Sequence, residues 1–326
     1  MSGCLTWKVA VILIVLVISI SGCATSNKLE NEPKMPITQK HEELTSNIQP
    51  GSGPAENAPE GDGPWNHRIM LAKSMDGLNW VKTGIILADQ ASVPEIIVDH
   101  DGNLRVYYVD WFNGGLSVAI SSDGENWVYR RVEGLTPEWV DPDVVLLPDG
   151  RYRLYASYMP LDGDQDRIVS AISEDGIVFT VEEGYRYREP GSMLTDPDVF
   201  QFKGRWYMIV GPELTLLESD DGLTFTKVGK LPLKGSVSCT IPYNGGLRIY
   251  FHRHAGAFHQ IYSAYTTNLE NWTEPVLVLS YGEPGSPDQY GVGDPSVVKF
   301  QGGYVMVYKT WINPPPWAAN SNSFGQ

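Results

Sequence analysis

Four short stretches place carboxylates beside a proline: Val93-Pro94-Glu95, Asp141-Pro142-Asp143, Asp196-Pro197-Asp198 and Asp294-Pro295-Ser296. A related stretch, Val237-Ser238-Cys239, carries no acid. Carboxylates gathered around one cavity repel one another, which opposes folding and is typical of a functional site. An aspartate ahead of a strand also has a structural use, because it accepts backbone N–H bonds and fixes the turn. That use suits Asp143 and Asp198 best. Asp141, Asp196 and Asp294 fit either role. Lys309, Arg253 and Arg167 are cations that could neutralise them. A second cluster is FHRHAGAFH, with His252, Arg253, His254 and His259. On a strand His252 and His254 share a face. No third ligand is identifiable, so polar contacts at a cavity mouth are expected rather than a metal or a cofactor.

The elements that carry these residues repeat. One motif is Ser-x-Asp-Gly-x-x-aromatic: SMDGLNW from 74, SSDGENW from 121, SEDGIVF from 173 and SDDGLTF from 219. A degenerate copy, TTNLENW, starts at 266, and the spacings are 47, 52, 46 and 47 residues. Asp accepts backbone hydrogen bonds in a tight turn, Gly takes the positive-φ position, and the aromatic residue opens the next strand. Between the copies lie strand–turn–strand segments with alternating apolar residues: 93–111, 140–158, 195–212, 237–254 and 293–311. The two motifs together predict a unit of four antiparallel strands, the signature of a propeller blade. The chain enters at 67–87 with strands three and four only and ends at 293–311 with strands one and two only. One split blade joining the chain ends, plus four whole blades, predicts a five-bladed all-β propeller with no exposed edge.

A five-bladed propeller with Asp-Pro at its blade openings resembles the arabinanase, levansucrase and invertase group, glycoside hydrolase families 32, 43, 62 and 68. The resemblance spans residues 64–326. It implies an acid–base site on the innermost strands, with one protonated and one ionised carboxyl group. With the split blade as first blade, it places the base at Asp294, the tuning carboxylate at Asp141 and the general acid at Asp196, where the family has Glu. Numbered from Val93 instead, the base and acid positions carry no carboxylate. Glu95, the only Glu at a blade opening, could supply the acid from a neighbouring blade. The resemblance also implies a carbohydrate ligand, with Trp111, Tyr158 and Trp311 offering stacking faces, and with Asp198, His252, Arg253, His254 and Lys309 as polar contacts. Three functions follow from it: a glycoside hydrolase, a non-catalytic carbohydrate-binding propeller, or a structural or interaction propeller of the envelope.

The remaining sequence bounds location and partners. Lys8 precedes an apolar core, Val9 to Ile20, shorter than the ~20 residues of a spanning helix. Ile20-Ser21-Gly22-Cys23 then resembles a bacterial lipoprotein signal over residues 1–23, with Cys23 as the lipidated residue of an exported, membrane-anchored protein. Residues 24–63 hold five prolines and no aromatic residue, the composition of a disordered linker. A formal net charge of −15 argues against nucleic acid, whose phosphates need clustered Lys and Arg. Of three cysteines, Cys239 has no expected partner once Cys4 leaves and Cys23 is lipidated. A monomer is expected.

Overall fold

The computed structural model describes residues 52–160 and 166–318. The signal segment and Cys23 lie outside them. Five four-stranded antiparallel sheets form the blades. Blade I is the split one: β19 (Val292–Phe300), β20 (Gly303–Trp311), β1 (His67–Ser74) and β2 (Trp80–Asp89). Blade II contains β3 (Ala91–Val98), β4 (Leu104–Asp110), β5 (Leu116–Ser121) and β6 (Val128–Arg131). Blade III contains β7 (Trp139–Leu146), β8 (Tyr152–Tyr158), β9 (Arg167–Ser173) and β10 (Thr180–Val181). Blade IV contains β11 (Thr195–Phe202), β12 (Arg205–Gly211), β13 (Thr215–Ser219) and β14 (Thr226–Lys230). Blade V contains β15 (Ser236–Tyr243), β16 (Gly246–Ala255), β17 (Phe258–Thr266) and β18 (Val276–Leu279). The ring closes as the sequence predicts: β1 pairs with β20 from His67↔Trp311 to Ser74↔Tyr304.

The core is divided among the seams. Each of five buried clusters joins neighbouring blades; one packs Tyr107 and Val118 of blade II on Trp139, Leu154 and Val169 of blade III. Alternating apolar residues on the inner strands feed both faces of each sheet into these seams.

The Asp-Gly turns are structural. In the first copy Ser74 Oγ accepts the Gly77 N–H at 2.9 Å, and Asp76 Oδ1 accepts those of Leu78 and Asn79. The same pattern recurs at Ser121/Asp123, Ser173/Asp175 and Ser219/Asp221. These turns also bolt blades together. Tyr107, Tyr155 and Tyr250 donate their hydroxyls to the carbonyls of Gly176, Gly222 and Gly77 in the following blade. Glycine leaves room for the ring: a Cβ on Gly176 would lie 2.7 Å from the Tyr107 hydroxyl oxygen. Blade IV pairs Ile209 with Asp198, where blades II, III and V pair a tyrosine with the equivalent inner residue. The degenerate turn that follows carries Leu269 at φ 66° in place of glycine. Blade I pairs Ser296 with Val307, and the turn of the following blade keeps Gly124, so the glycine is also used where no tyrosine reaches it.

Candidate active site

Each inner strand is irregular near its start. Pairing with the second strand slips between Ser92 and Glu95, Val140 and Asp143, Thr195 and Asp198, Ser236 and Ser238, and Gly293 and Ser296. At each slip one residue is left-handed: Val93 (φ 46°), Asp141 (53°), Asp196 (52°), Val237 (46°) and Asp294 (45°). Aspartate tolerates this region better than most residues, whereas a β-branched valine there is an outlier. The repeated bulge turns these five side chains toward one cleft, lined also by Pro94, Pro142, Pro197, Pro295 and Glu95. Three carboxylates therefore converge from blades I, III and IV.

Their protonation is divided by their neighbours. Burial would raise Asp294, which is 1% exposed. Lys309 Nζ, 2.6 Å from Asp294 Oδ2, and His252 outweigh it and hold the carboxyl well below the ordinary range. His252 Nδ1 is 3.1 Å from both Asp294 Oδ1 and the Asp294 backbone N. Protonated, that nitrogen donates to the carboxylate; unprotonated, it accepts the N–H. Asp196 goes the other way. Burial, then the charges of Asp141 and Asp294, push it well above its ordinary value. Asp141 lies between: burial, aided by the charge of Asp294, raises it to about 6 against the Ser157 hydroxyl and the Asp196 N–H, which favour its ion. Gly211, beside Asp196, has no room for a side chain: a Cβ there would lie 2.5 Å from Thr195 Oγ1 and 3.3 Å from Asp196 Oδ2.

A second ring lies two residues further along the same strands: Glu95, Asp143, Asp198, Cys239 and Ser296. Four of its members accept backbone N–H groups from the next blade. Ser296 Oγ takes Ile96 N at 2.9 Å, Cys239 Sγ takes Val297 N at 3.2 Å, Asp198 Oδ1 takes Thr240 N at 2.9 Å, and Asp143 takes Val199 N. Asp198 also receives the hydroxyls of Ser238 and Thr240, both at 2.7 Å. This ring is a seam lock. It gives Asp143 and Asp198 a structural role across the blade seam rather than within their own turns, and it explains the buried free thiol of Cys239. Glu95 belongs to this ring; it takes the Ser296 hydroxyl at 2.7 Å, and burial raises it to about 8.

No family model matches the sequence, and no curated protein matches it. Solved structures do. The GH43 BlXynB protein from Bacillus licheniformis aligns at 17% identity with a TM-score of 0.55, over 67% of this chain and 48% of that one. The chain thus spans about half of that neighbour. An α-L-arabinofuranosidase from Clostridium thermocellum aligns at 18% identity and TM-score 0.51, over 66% and 80% of the two chains. A GH130 structure, described among mannoside phosphorylases and hydrolases of β-1,2 mannosidic linkages, aligns at 14% and 0.53, over 69% and 87%. The chain has the propeller fold of glycoside hydrolases.

Around the cleft of this propeller the other anticipated residues divide. Lys309 and His252 join the site through Asp294. His254 does not reach it directly: its Nε2 is 2.9 Å from His259 Nε2, and His259 stacks on His252 with ring centroids 4.4 Å apart. Burial, then the neighbouring histidines, hold His259 down at about 2. Among the described residues no group of three His, Cys, Asp or Glu could hold a metal ion. Arg253 lies over the Tyr262 ring at 3.6 Å and Arg167 over Tyr158 at 4.6 Å. Tyr158 is half-buried, and Trp111 meets Trp65 edge-on at 5.0 Å. Trp311 is 1% exposed, so it forms wall rather than open platform.

Sequence reasoning did not find Asp62, which falls in the stretch read as linker. Its carboxylate accepts Trp311 Nε1 at 2.7 Å and lies 3.0 Å from His67 Nε2, while His67 Nδ1 contacts Ser92 Oγ at 2.9 Å. The ionised Asp62 keeps the proton on Nε2, so the other nitrogen accepts from Ser92. Ser92 is itself buried, which makes the chain a clip rather than an exposed nucleophile. A lone Asp in a Pro- and Gly-rich segment offers no periodic signal.

Proposed function

We propose that the protein hydrolyses glycosidic bonds, with Asp196 as general acid, Asp294 as base and Asp141 tuning the pair. The observation that carries the reading is that three buried carboxylates share one cleft, with Asp196 shifted upward by burial and its neighbours' charges and Asp294 held down by Lys309 2.6 Å away. Such a division assigns acid and base roles. Asp196 is the more open of the two and would give its proton to the leaving oxygen. Asp294 is held ionised by Lys309 and His252, the state in which a carboxylate can accept a proton from an attacking water. The water oxygen bonds to the anomeric carbon, its proton passes to Asp294, and the sugar–oxygen bond breaks as Asp196 protonates the departing oxygen. Asp141 contributes charge: as it ionises near pH 6, it strengthens the hold of Asp196 on its proton.

The fold likeness to glycoside hydrolases supports a carbohydrate ligand. The test is a screen of arabino-, xylo-, fructo- and manno-oligosaccharides with wild type, Asp294→Asn and Asp196→Asn. Turnover by wild type alone supports the assignment, and equal turnover by all three contradicts it. A second reading is a carbohydrate-binding propeller without turnover; the near-complete burial of Asp294 favours it. Binding by wild type with no released sugar would select that reading. We also propose export and anchoring through Cys23, on the apolar core and Ile20-Ser21-Gly22-Cys23. Cys23→Ser should move the protein from the membrane fraction to the soluble fraction.

A further inference from the structure

We propose that the cleft is a closed-ended pocket for the terminal sugar of a chain, walled by segments that precede and follow the five repeats, with Asp62 as a specificity-determining residue. This rests on the carbohydrate reading above. The cleft lies where the inner strands begin and the second strands end. Trp111 and Trp311 stand at those second-strand ends in blades II and I, and the β16–β17 hairpin of blade V carries His254 and His259.

Two segments outside the repeats cover this side. Ahead of β1, Trp65 is buried against Trp111 and Asp62 binds the Trp311 indole. After β20, Trp317 packs on Trp311 at 5.6 Å, on His259 at 5.6 Å and on His254 at 5.9 Å. The two segments are tied together: Asn313 N donates to Asn66 Oδ1 at 2.9 Å, Asn66 Nδ2 to Asn313 O at 3.1 Å, and Ile312 N to Asn66 O at 2.8 Å. The result is one continuous wall from blade II across blade I to blade V.

A polysaccharide bound at an internal linkage must leave the site in two directions. A wall over three adjacent blades removes one of them, and a chain end needs only the other. Asp62 is a carboxylate of this wall, bound to the Trp311 indole and to His67. It is partly exposed and acts electrostatically on Lys309, the cation that holds Asp294. A partly exposed carboxylate accepts hydrogen bonds from the hydroxyls of a terminal sugar.

The experiment uses the full chain and two readouts. Linear arabino-, xylo-, fructo- and manno-oligosaccharides labelled at the reducing end are followed through early turnover. Separately, binding of unlabelled chains of two to eight sugars to Asp196→Asn is measured by calorimetry. The expected results are labelled products that shorten stepwise from the far end, and an affinity that stops rising after the second or third sugar. Asp62→Ala should raise KM about tenfold, the equivalent of one hydrogen-bonded contact of ~1.4 kcal/mol, and let early internal products appear. Length-independent binding without turnover would remove the catalytic reading and keep the wall. Early mid-length products from wild type, or affinity climbing tenfold between two and six sugars, would overturn the wall and keep catalysis. Absence of binding to every chain would overturn both.

Discussion

Lys309 Nζ sits 2.6 Å from Asp294 Oδ2 in the interior of the propeller, and the two residues stand on paired strands of the split blade. The pair lies within the β19–β20 hairpin, whose second strand also pairs with β1 to close the ring. It sets the sign of the site: one carboxylate has a cation that holds it down, while Asp196 and Asp141 lack one of their own and are shifted upward.

Replacing Lys309 by Met should therefore do two things. It leaves a buried carboxylate without its cation, a change that typically costs about 3–5 kcal/mol. It also raises the Asp294 pKa, so the acidic limb of the pH–rate profile moves to higher pH. Lys309→Arg keeps the charge and should move that limb less. Thermal unfolding and a pH–rate series measure both effects.

Glu95 predicts a pH dependence of stability. Burial raises its folded pKa to about 8, above the ordinary glutamate value of 4.5. Between those values the folded protein holds a proton that the unfolded chain releases, so unfolding free energy falls as pH rises through this window. The neutral-form advantage is fully present below about 4.5 and lost once pH passes about 8. Glu95→Gln cannot ionise. Its melting temperature should match wild type near pH 4.5 and exceed it near pH 8. Scanning calorimetry across that range decides; a deficit at pH 8 would contradict the burial argument.

Much of this arrangement was legible in the sequence. The Asp-Gly motif exposed the blade period because its turn demands those residues at fixed places. The truncated units at the two ends exposed the split blade. Asp141, Asp196 and Asp294 were legible as a set because the bulge repeats. The seam lock was not: it links Asp198 to Thr240 and Cys239 to Val297 across blades, and no local pattern encodes a neighbour in the next repeat. Asp62 and Trp317 were hidden for a related reason. They lie outside the repeats, so periodicity says nothing about them.

Cys239 offers a test of the seam lock. Cys239→Ser keeps an acceptor for the Val297 N–H and should be tolerated. Cys239→Val removes it and leaves a buried donor without a partner, at a typical cost of about 1–3 kcal/mol. Equal melting temperatures for the two variants would deny the lock.

The left-handed valines offer another. Val237 holds φ 46° where the equivalent residue in blades I, III and IV is aspartate. Asparagine adopts that region more readily. Val237→Asn should raise stability by about 1 kcal/mol, the scale of the left-handed penalty for an ordinary residue. Chemical denaturation reads this directly, and a clear loss of stability would mean that packing of the valine outweighs its strain.

The most direct test of the acid–base assignment compares Asp196→Asn with wild type on two substrates of one sugar. The first is a natural oligosaccharide, whose leaving alcohol needs a proton. The second is the dinitrophenyl glycoside, whose leaving group departs without one. The account predicts that Asp196→Asn lowers kcat/KM on the oligosaccharide by about 10²–10⁴, the usual contribution of a general acid, and leaves the aryl glycoside nearly unchanged. Equal losses on both substrates, or none on either, would contradict Asp196 as the acid.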